Sequence, residues 1–346
     1  MSGVTRRGFL GFVALLGLAG CASTSPAGET AGETAGETAA PRERTVSHVF
    51  GTTTIPASVG RVACVGLTSH DISVALGVVP VAIQSSEALD TKLSPWFYDR
   101  MTELGGQPPE MLSLNTWSKV MTSMEQITPD LILAVNGTLS KDQYEALSRI
   151  APVVAHPGAP ANTPWRESVA MVAEALGKPE AGDKLVAQTE RDIAETRELY
   201  ADYSDLGALY LRYTGAQGAD LEVFGEETNE VRALRAFGLQ ESPALAELSL
   251  SEDIAPTKRK LVPINRVRGL PSDIVIASVP DSQRTTELRG NRFSTTLERT
   301  NDNTILIPAK GEAYALQESS PLSLSWAAKS LIPEIARVHF SALPQQ

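Results

Sequence analysis

Arg61-Val62-Ala63-Cys64-Val65-Gly66, a helical Asp71 to Leu76, Gly77, and then Val78-Val79-Pro80-Val81-Ala82-Ile83 form the stretch that sets the fold class. The first run is short, apolar and β-branched and ends at a glycine, which marks a buried strand. Gly77 stops the helix, and a second apolar strand follows. Asp130-Leu131-Ile132-Leu133-Ala134-Val135 and Ala151-Pro152-Val153-Val154-Ala155 repeat the strand pattern, with helical Lys141 to Arg149 between them. Short apolar strands alternating with helices predict a parallel α/β sheet.

The second half repeats the scheme. Leu206 to Tyr213 reads as a strand, and Glu230 to Phe237 as a helix capped by Gly238. Asp273 to Ala277 and Thr304 to Ile307 are further strands, and Ser325 to Val338 is a closing helix kinked at Pro333. Between the halves, Pro179 to Tyr203 reads as one long helix. Pro179 suits its first turn, and Ala181, Leu185, Val186, Thr189, Ile193 and Tyr200 share a face. The expected fold is α/β: two Rossmann-like lobes with parallel sheets, joined by a single long rigid helix, with a ligand cleft between the lobes. The first lobe is expected over residues 45–178, the joining helix over 179–203 and the second lobe over 204–346.

The N-terminus points out of the cytoplasm. Arg6 and Arg7 precede an apolar run from Phe9 to Ala19, so residues 1–20 read as a signal peptide. The run is too short to span ~30 Å of hydrocarbon as a helix. Leu18-Ala19-Gly20-Cys21 resembles the lipobox of bacterial lipoproteins, which implies a lipid on the Cys21 sulfur and a place on the outer side of the cell membrane. Thr5-Arg6-Arg7-Gly8-Phe9-Leu10 resembles the twin-arginine export motif, but Gly11 stands where that pattern usually has a lysine, so both export routes stay open. Residues 21–44 carry Ala-Gly-Glu-Thr three times over (Ala27 to Thr38) and no apolar periodicity. Such a segment is a flexible tether with an r.m.s. span of roughly 25–30 Å.

Charge and motifs narrow the function. The formal net charge is −11, and loss of Arg6 and Arg7 with the leader takes it to −13, which argues against nucleic acid as a partner. With Cys21 lipidated, Cys64 has no intramolecular partner, and its apolar neighbours make it a buried small hydrophobe. The sequence holds no Gly-x-Ser-x-Gly, His-Glu-x-x-His, Cys-x-x-Cys, P-loop or Gly-x-Gly-x-x-Gly motif. Its four histidines (His48, His70, His156 and His339) show no metal-ligand spacing from one another, so each reads as solvated or hydrogen-bonded. That pattern favours a binder over an enzyme. In open α/β sheets the ligand crevice lies at the carboxyl ends of the strands. The loops there are Thr68-Ser69-His70, Asn136-Gly137-Thr138 and His156 in the first lobe, and Arg212-Tyr213 and Asp281 to Arg284 in the second.

Several stretches together resemble one family: Phe50-Gly51-Thr52-Thr53-Thr54-Ile55-Pro56, Arg61-Val62, Ala75 to Val81, Thr128-Pro129-Asp130-Leu131-Ile132, Leu147 to Val154, Ala175-Leu176-Gly177-Lys178, and Pro321-Leu322-Ser323-Leu324 with Trp326. Their order is similar to that of the iron-siderophore and vitamin B12 substrate-binding lipoproteins of ABC importers, from about Val46 to the end. The resemblance implies a ferric siderophore as ligand, no cofactor, iron held by the chelate rather than by protein ligands, a monomer, and an importer permease as partner. It also places an aromatic loop at Pro95-Trp96-Phe97-Tyr98 and an arginine, Arg212, at a strand end. The expected ligand-binding residues are thus Thr68, His70, Trp96, Asn136, Arg212, Tyr213, Arg232 and Arg284. Arg212 also reads as a surface arginine paired with Glu222 or Glu226, and Arg232 and Arg235 as a solvated helix face; Lys258-Arg259-Lys260 reads as a solvated turn. The family's two permease-docking glutamates fall on Thr122 and Asn265 here, which puts standard docking in question; Glu125 and Glu252 are the possible substitutes. Cobalamin, haem or another chelate on the same fold, a sensor without a permease, and a lipid-anchored hydrolase are the competing readings.

Overall fold

The computed structural model describes residues 42–85, 89, 92–201, 205–213, 220–255, 258–267, 269–279 and 304–342. The leader, Cys21, most of the tether and Asp281 to Arg284 lie outside these residues. The chain enters through an antiparallel hairpin, β1 (Arg44–His48) and β2 (Gly51–Ile55), with Arg44 opposite Ile55. A parallel sheet follows, built from β3 (Val62–Cys64), β4 (Ala82–Gln84), β5 (Glu110–Leu112), β6 (Leu131–Leu133) and β7 (Val153–Val154), in the order β5-β4-β3-β6-β7. The crossovers carry α1 (Ser69–Ala75), α2 (Pro95–Glu103), α3 (Trp117–Ile127) and α4 (Lys141–Leu147). Strand β4 starts four residues later than the apolar run. Pro80 has no N–H for a ladder, and the Val78 N–H is taken by the Ser73 carbonyl at the end of α1.

The strand order reverses between β3 and β6, and the loops leaving those strands touch there. A Cβ placed on Gly66 would lie 2.2 Å from the Val135 carbonyl oxygen, so only glycine fits this crossing. The Ser69 hydroxyl donates to that same carbonyl at 3.0 Å.

Two helices lead out of the first sheet: α5 (Trp165–Ala175) and the 21-residue α6 (Pro179–Leu199). Gly182, Thr189 and Ile193 are its buried positions, while Ala181 is exposed, contrary to the face read from the sequence. The cause is close packing: a Cβ on Gly182 would sit 2.5 Å from the Ala173 Cβ, so α6 lies on α5 through its glycine. The helix runs to Leu199, with Tyr200 as its cap, and Tyr203 lies outside the described residues.

The second sheet contains β8 (Gly207–Tyr213), β9 (Asp220–Phe224), β10 (Gln240–Glu241), β11 (Arg259–Pro263), β12 (Ile274–Val279) and β13 (Thr304–Pro308). β10, β12 and β13 belong to its parallel part with β8, but β9 runs antiparallel to both β8 and β11. The sheet is therefore parallel through β8, β10, β12 and β13, with an antiparallel edge at β9 and β11. Its helices are α7 (Asn229–Ala236), α8 (Pro243–Glu252), α9 (Ile264–Val267), α10 (Glu312–Glu318) and α11 (Pro321–Ala342), the last running through Pro333. One continuous core joins the halves, from Val62, Ile72 and Trp96 through Ile193 to Phe237, Tyr314 and Leu331. Separate cores fill the far face of each sheet, around Val120 and Met124 in one and Leu245 and Val262 in the other. A core shared across the seam leaves little freedom for a hinge.

Candidate functional site

Asn136 follows β6 with a left-handed φ of 55°, a conformation its short polar side chain tolerates. That turn lets Oδ1 accept the Thr163 N–H at 2.9 Å and Asn229 Nδ2 at 3.4 Å, so the switch-point loop of the first sheet reaches the start of α7. Asn162 Nδ2 donates to the Glu227 carbonyl at 2.9 Å. Arg232 Nη2 donates to the Asn162 carbonyl at 2.8 Å, to Asn162 Oδ1 at 3.1 Å and to Asn229 Oδ1 at 2.8 Å, and Nη1 lies 3.4 Å from Glu227 Oε2. Burial disfavours the Arg232 charge, and Glu227 opposes that loss. Beside this seam a cavity of about 650 Å³ opens between α5, α6 and α7. Arg166, Arg197, Arg232 and Arg235 line it against Glu190 and Glu227, a local cationic excess in an acidic chain.

A second polar cluster lies where α1 meets α10 and α11. Asp71 is fully buried, and its Oδ2 accepts Trp96 Nε1 at 2.7 Å and Ser320 Oγ at 2.6 Å. His70 Nε2 lies 3.3 Å from Asp71 Oδ1, its Nδ1 has no hydrogen-bond partner of good geometry, and Phe97 meets the ring edge-on at 5.2 Å. Glu318 is fully buried, and neither carboxyl oxygen has a hydrogen-bond partner of good geometry. Burial pushes Asp71 up, countered by His70, Ser320 and Trp96. Burial also raises Glu318 well above the usual carboxylate range, and the Asp71 charge adds to the rise; Tyr314 opposes it. His70 is lowered by burial against the pull of Asp71 and the Gly66 carbonyl. Trp96 stacks on Tyr314 at 6.0 Å and tilts against Trp326 at 5.2 Å, which closes the cluster with aromatic rings.

Strand β8 ends at the second sheet's own reversal of order, beside β12. Arg212, opposite Ser278, is ion-paired with Glu222 on β9, and its guanidinium lies 5.5 Å from the Phe224 ring centre. Arg259 lies over the same ring at 4.9 Å and pairs with the buried Glu230 at 2.8 Å. It is therefore a strand residue with a buried partner, not part of a solvated turn. Burial raises Glu230, and Arg259 is the largest opposing influence.

The periplasmic binding protein family model matches residues 62–241, over half of the 346-residue chain. The chain belongs to that family. Its members are extracytoplasmic solute-binding components of ABC importers and not enzymes. No curated protein matches the sequence. Among solved structures, the iron uptake ABC transporter substrate-binding protein PiaA of Streptococcus pneumoniae, in complex with ferrichrome, is similar with a TM-score of 0.71 at 23% identity, covering 86% of this chain and 99% of that one. A periplasmic solute-binding protein of Mycobacterium smegmatis gives 0.70 at 27% identity, covering 86% and 99%. The triscatecholate siderophore-binding protein FeuA of Bacillus subtilis, complexed with ferri-bacillibactin, gives 0.60 at 16% identity, covering 85% and 98%. Among the described residues no helix is long and apolar enough to cross a membrane.

Within this family fold, the expected site residues fall into three places. Asn136 and Arg232 meet at the seam through Asn162 and Asn229. Thr68, His70 and Trp96 are buried, the last two on Asp71, and none presents an open surface in this conformation. Arg212 and Tyr213 are half-buried at the end of β8, where Arg212 pairs with Glu222, and Arg284 lies outside the described residues. Sequence reasoning missed Asp71, Glu318, Asn162 and Asn229. Asp71 reads as an ordinary acidic residue in a helix's first turn, and only its burial reveals a different role.

Proposed function

We propose that the chain captures a ferric siderophore at the strand ends of its two sheets and passes it to an ABC importer, tethered to the outer face of the cell membrane by a lipid on Cys21. The observation that carries this reading is the meeting of the two edges: Asn136 after β6 touches Asn229 at the start of α7. It does so in a fold shared along nearly the whole length of proteins solved with ferric chelates. Arg212 at the end of β8 and Arg232 on α7 suit an anionic chelate, because planar guanidinium groups donate in pairs and stack on aromatic rings. Iron is the cargo's own, held by the chelate.

Titration of intrinsic tryptophan fluorescence with ferric hydroxamates, ferric catecholates, haemin and cyanocobalamin tests this. Saturable quenching by at least one ferric siderophore is expected, and none by cyanocobalamin. Quenching by haemin or cobalamin alone would reassign the ligand. For the tether, a metabolically supplied fatty acid should label the wild type, and Cys21→Ser should move the protein to the soluble fraction. An unlabelled wild type that stays with the membrane would end the lipoprotein reading.

Docking needs groups other than the family's usual glutamates. Thr122 is exposed on α3, its hydroxyl bonded to the Ser118 carbonyl, and Asn265 is exposed on α9. Of the possible substitutes, Glu252 is held by Arg266 at 2.7 Å, whereas Glu125 is exposed. Glu125 is therefore our choice for the first lobe's contact.

A further inference from the structure

His70 and Asp71 open α1 in the first half, and Glu318 closes α10 in the second. One ligand atom from each lies within 4.8 Å of the others, and all three residues are buried. Two acidic groups are thus sequestered beside a single imidazole. Among the described residues no lysine or arginine pairs with either carboxyl. Removing an uncompensated carboxylate from water is costly, so buried acids are found paired, protonated or bound to a metal. Here neither Glu318 oxygen nor His70 Nδ1 has a hydrogen-bond partner of good geometry, and their polar neighbours are the Tyr314 side chain and the Gly66 carbonyl.

We propose that His70, Asp71 and Glu318 form a buried site for a first-row divalent cation that clasps the two halves of the chain together. A doubly charged ion with two carboxylates and a neutral imidazole makes a net-neutral cluster, which the buried environment favours. The spacing suits it. Donor atoms about 2.1 Å from a tetrahedral ion stand about 3.4 Å apart, and His70 Nε2 and Asp71 Oδ1 are already 3.3 Å apart. One nitrogen and two oxygen ligands select zinc, manganese or ferrous iron over calcium, because imidazole is a poor calcium ligand. Trp96 and Ser320 donate to the second Asp71 oxygen and orient the carboxylate, as outer partners of a metal ligand do. Because the ligands come from both halves, the ion would act on the seam itself. The test needs no chelate, so its outcome does not depend on the proposed cargo.

The test uses the full mature chain without a purification tag. It is unfolded and refolded with excess Zn²⁺ or Mn²⁺, dialysed, and assayed for metal by mass spectrometry and for its thermal midpoint. About one ion per chain is expected in the wild type, with a midpoint about 5 °C above that of chain refolded in chelator, as for a ligand near 100 times its Kd. Calcium should give no shift. Glu318→Gln keeps the shape and removes a charged ligand. It should hold no ion, show no metal-dependent shift, and in chelator melt at or above the wild type. His70→Gln should also lose the ion, and it serves if the first variant does not fold. A wild type that retains no ion and shows no shift would overturn the site and leave Glu318 as a neutral buried acid. Retention unchanged in both variants would overturn it too, by placing the ion elsewhere.

Discussion

Gly66→Ala is expected to lower the thermal midpoint by roughly 10 °C, and Gly66→Val to leave little soluble protein. The added Cβ would stand 2.2 Å from the Val135 carbonyl oxygen, 2.8 Å from the Ala134 carbonyl carbon and 2.9 Å from the Ser69 hydroxyl. Two of the three neighbours are backbone at the end of β6, the strand beside β3 in the middle of the sheet, and they have nowhere to move. Rotating Ser69 away would forfeit its bond to Val135, worth about 1 kcal/mol. Overpacking against a backbone that cannot yield costs about 3 kcal/mol or more, and each kcal/mol shifts the midpoint by about 2–4 °C in a chain of 150–250 residues. Gly158→Ala is the control, since a Cβ there meets nothing within 4 Å. Melting curves of the three proteins decide it. A Gly66→Ala midpoint equal to that of Gly158→Ala would mean that the two switch-point loops are not packed together.

That crossing belongs to the half of the molecule most open to sequence reading. Four of the five strands of the first sheet, β3, β4, β6 and β7, fall within short apolar runs to within a few residues, whereas β5 begins on Glu110 and carries no such run. The second sheet hides more. Leu221 and Val223 alternate with Glu222, a period-2 pattern that marks β9, but the strand lies at an antiparallel edge that a search for continuous apolar runs passes over. The long joining helix was legible as an element, while its buried face was off by one residue. A hydrophobicity pattern credits Ala181, yet α5 comes so close that only the methyl-free Gly182 fits. The polar seam is the least legible part. Asp71 and Ser320 are 249 residues apart in sequence, and neither stands in a local context that sets it apart from a helix's first turn or a polar turn before a proline. Their meeting is a product of the fold, and so is the isolation of Glu318.

Arg212 and Glu222 give the other large effect, and the pair is informative because its members should act in opposite directions. Arg212 stands at the end of β8 with its side chain a third exposed, and Glu222, on the neighbouring strand, holds it. In that state the guanidinium offers an incoming anion only part of its charge and some of its N–H donors. Charge-assisted hydrogen bonds contribute about 1.5–3 kcal/mol, so Arg212→Ala should weaken an anionic ferric catecholate by roughly 10- to 100-fold. A neutral hydroxamate complex should lose less. Glu222→Gln removes the competing charge and keeps the side-chain shape. The exposed part of such a pair is worth about 0–1 kcal/mol, so this variant should bind the anionic chelate up to about 5-fold tighter. Arg212→Ala also leaves Glu222 without its partner, so a modest loss of stability should accompany the loss of affinity, and melting curves must be recorded beside the titrations. Calorimetric titration of both variants with both chelates reads out the sign. If Arg212→Ala and Glu222→Gln shift the affinity for the anionic chelate in the same direction, or not at all, the pair serves only to fasten β9 to β8. The anion would then have to be received at Arg232 and the arginine-lined cavity between α5 and α7, where Arg232 is already tied to Asn162 and Asn229.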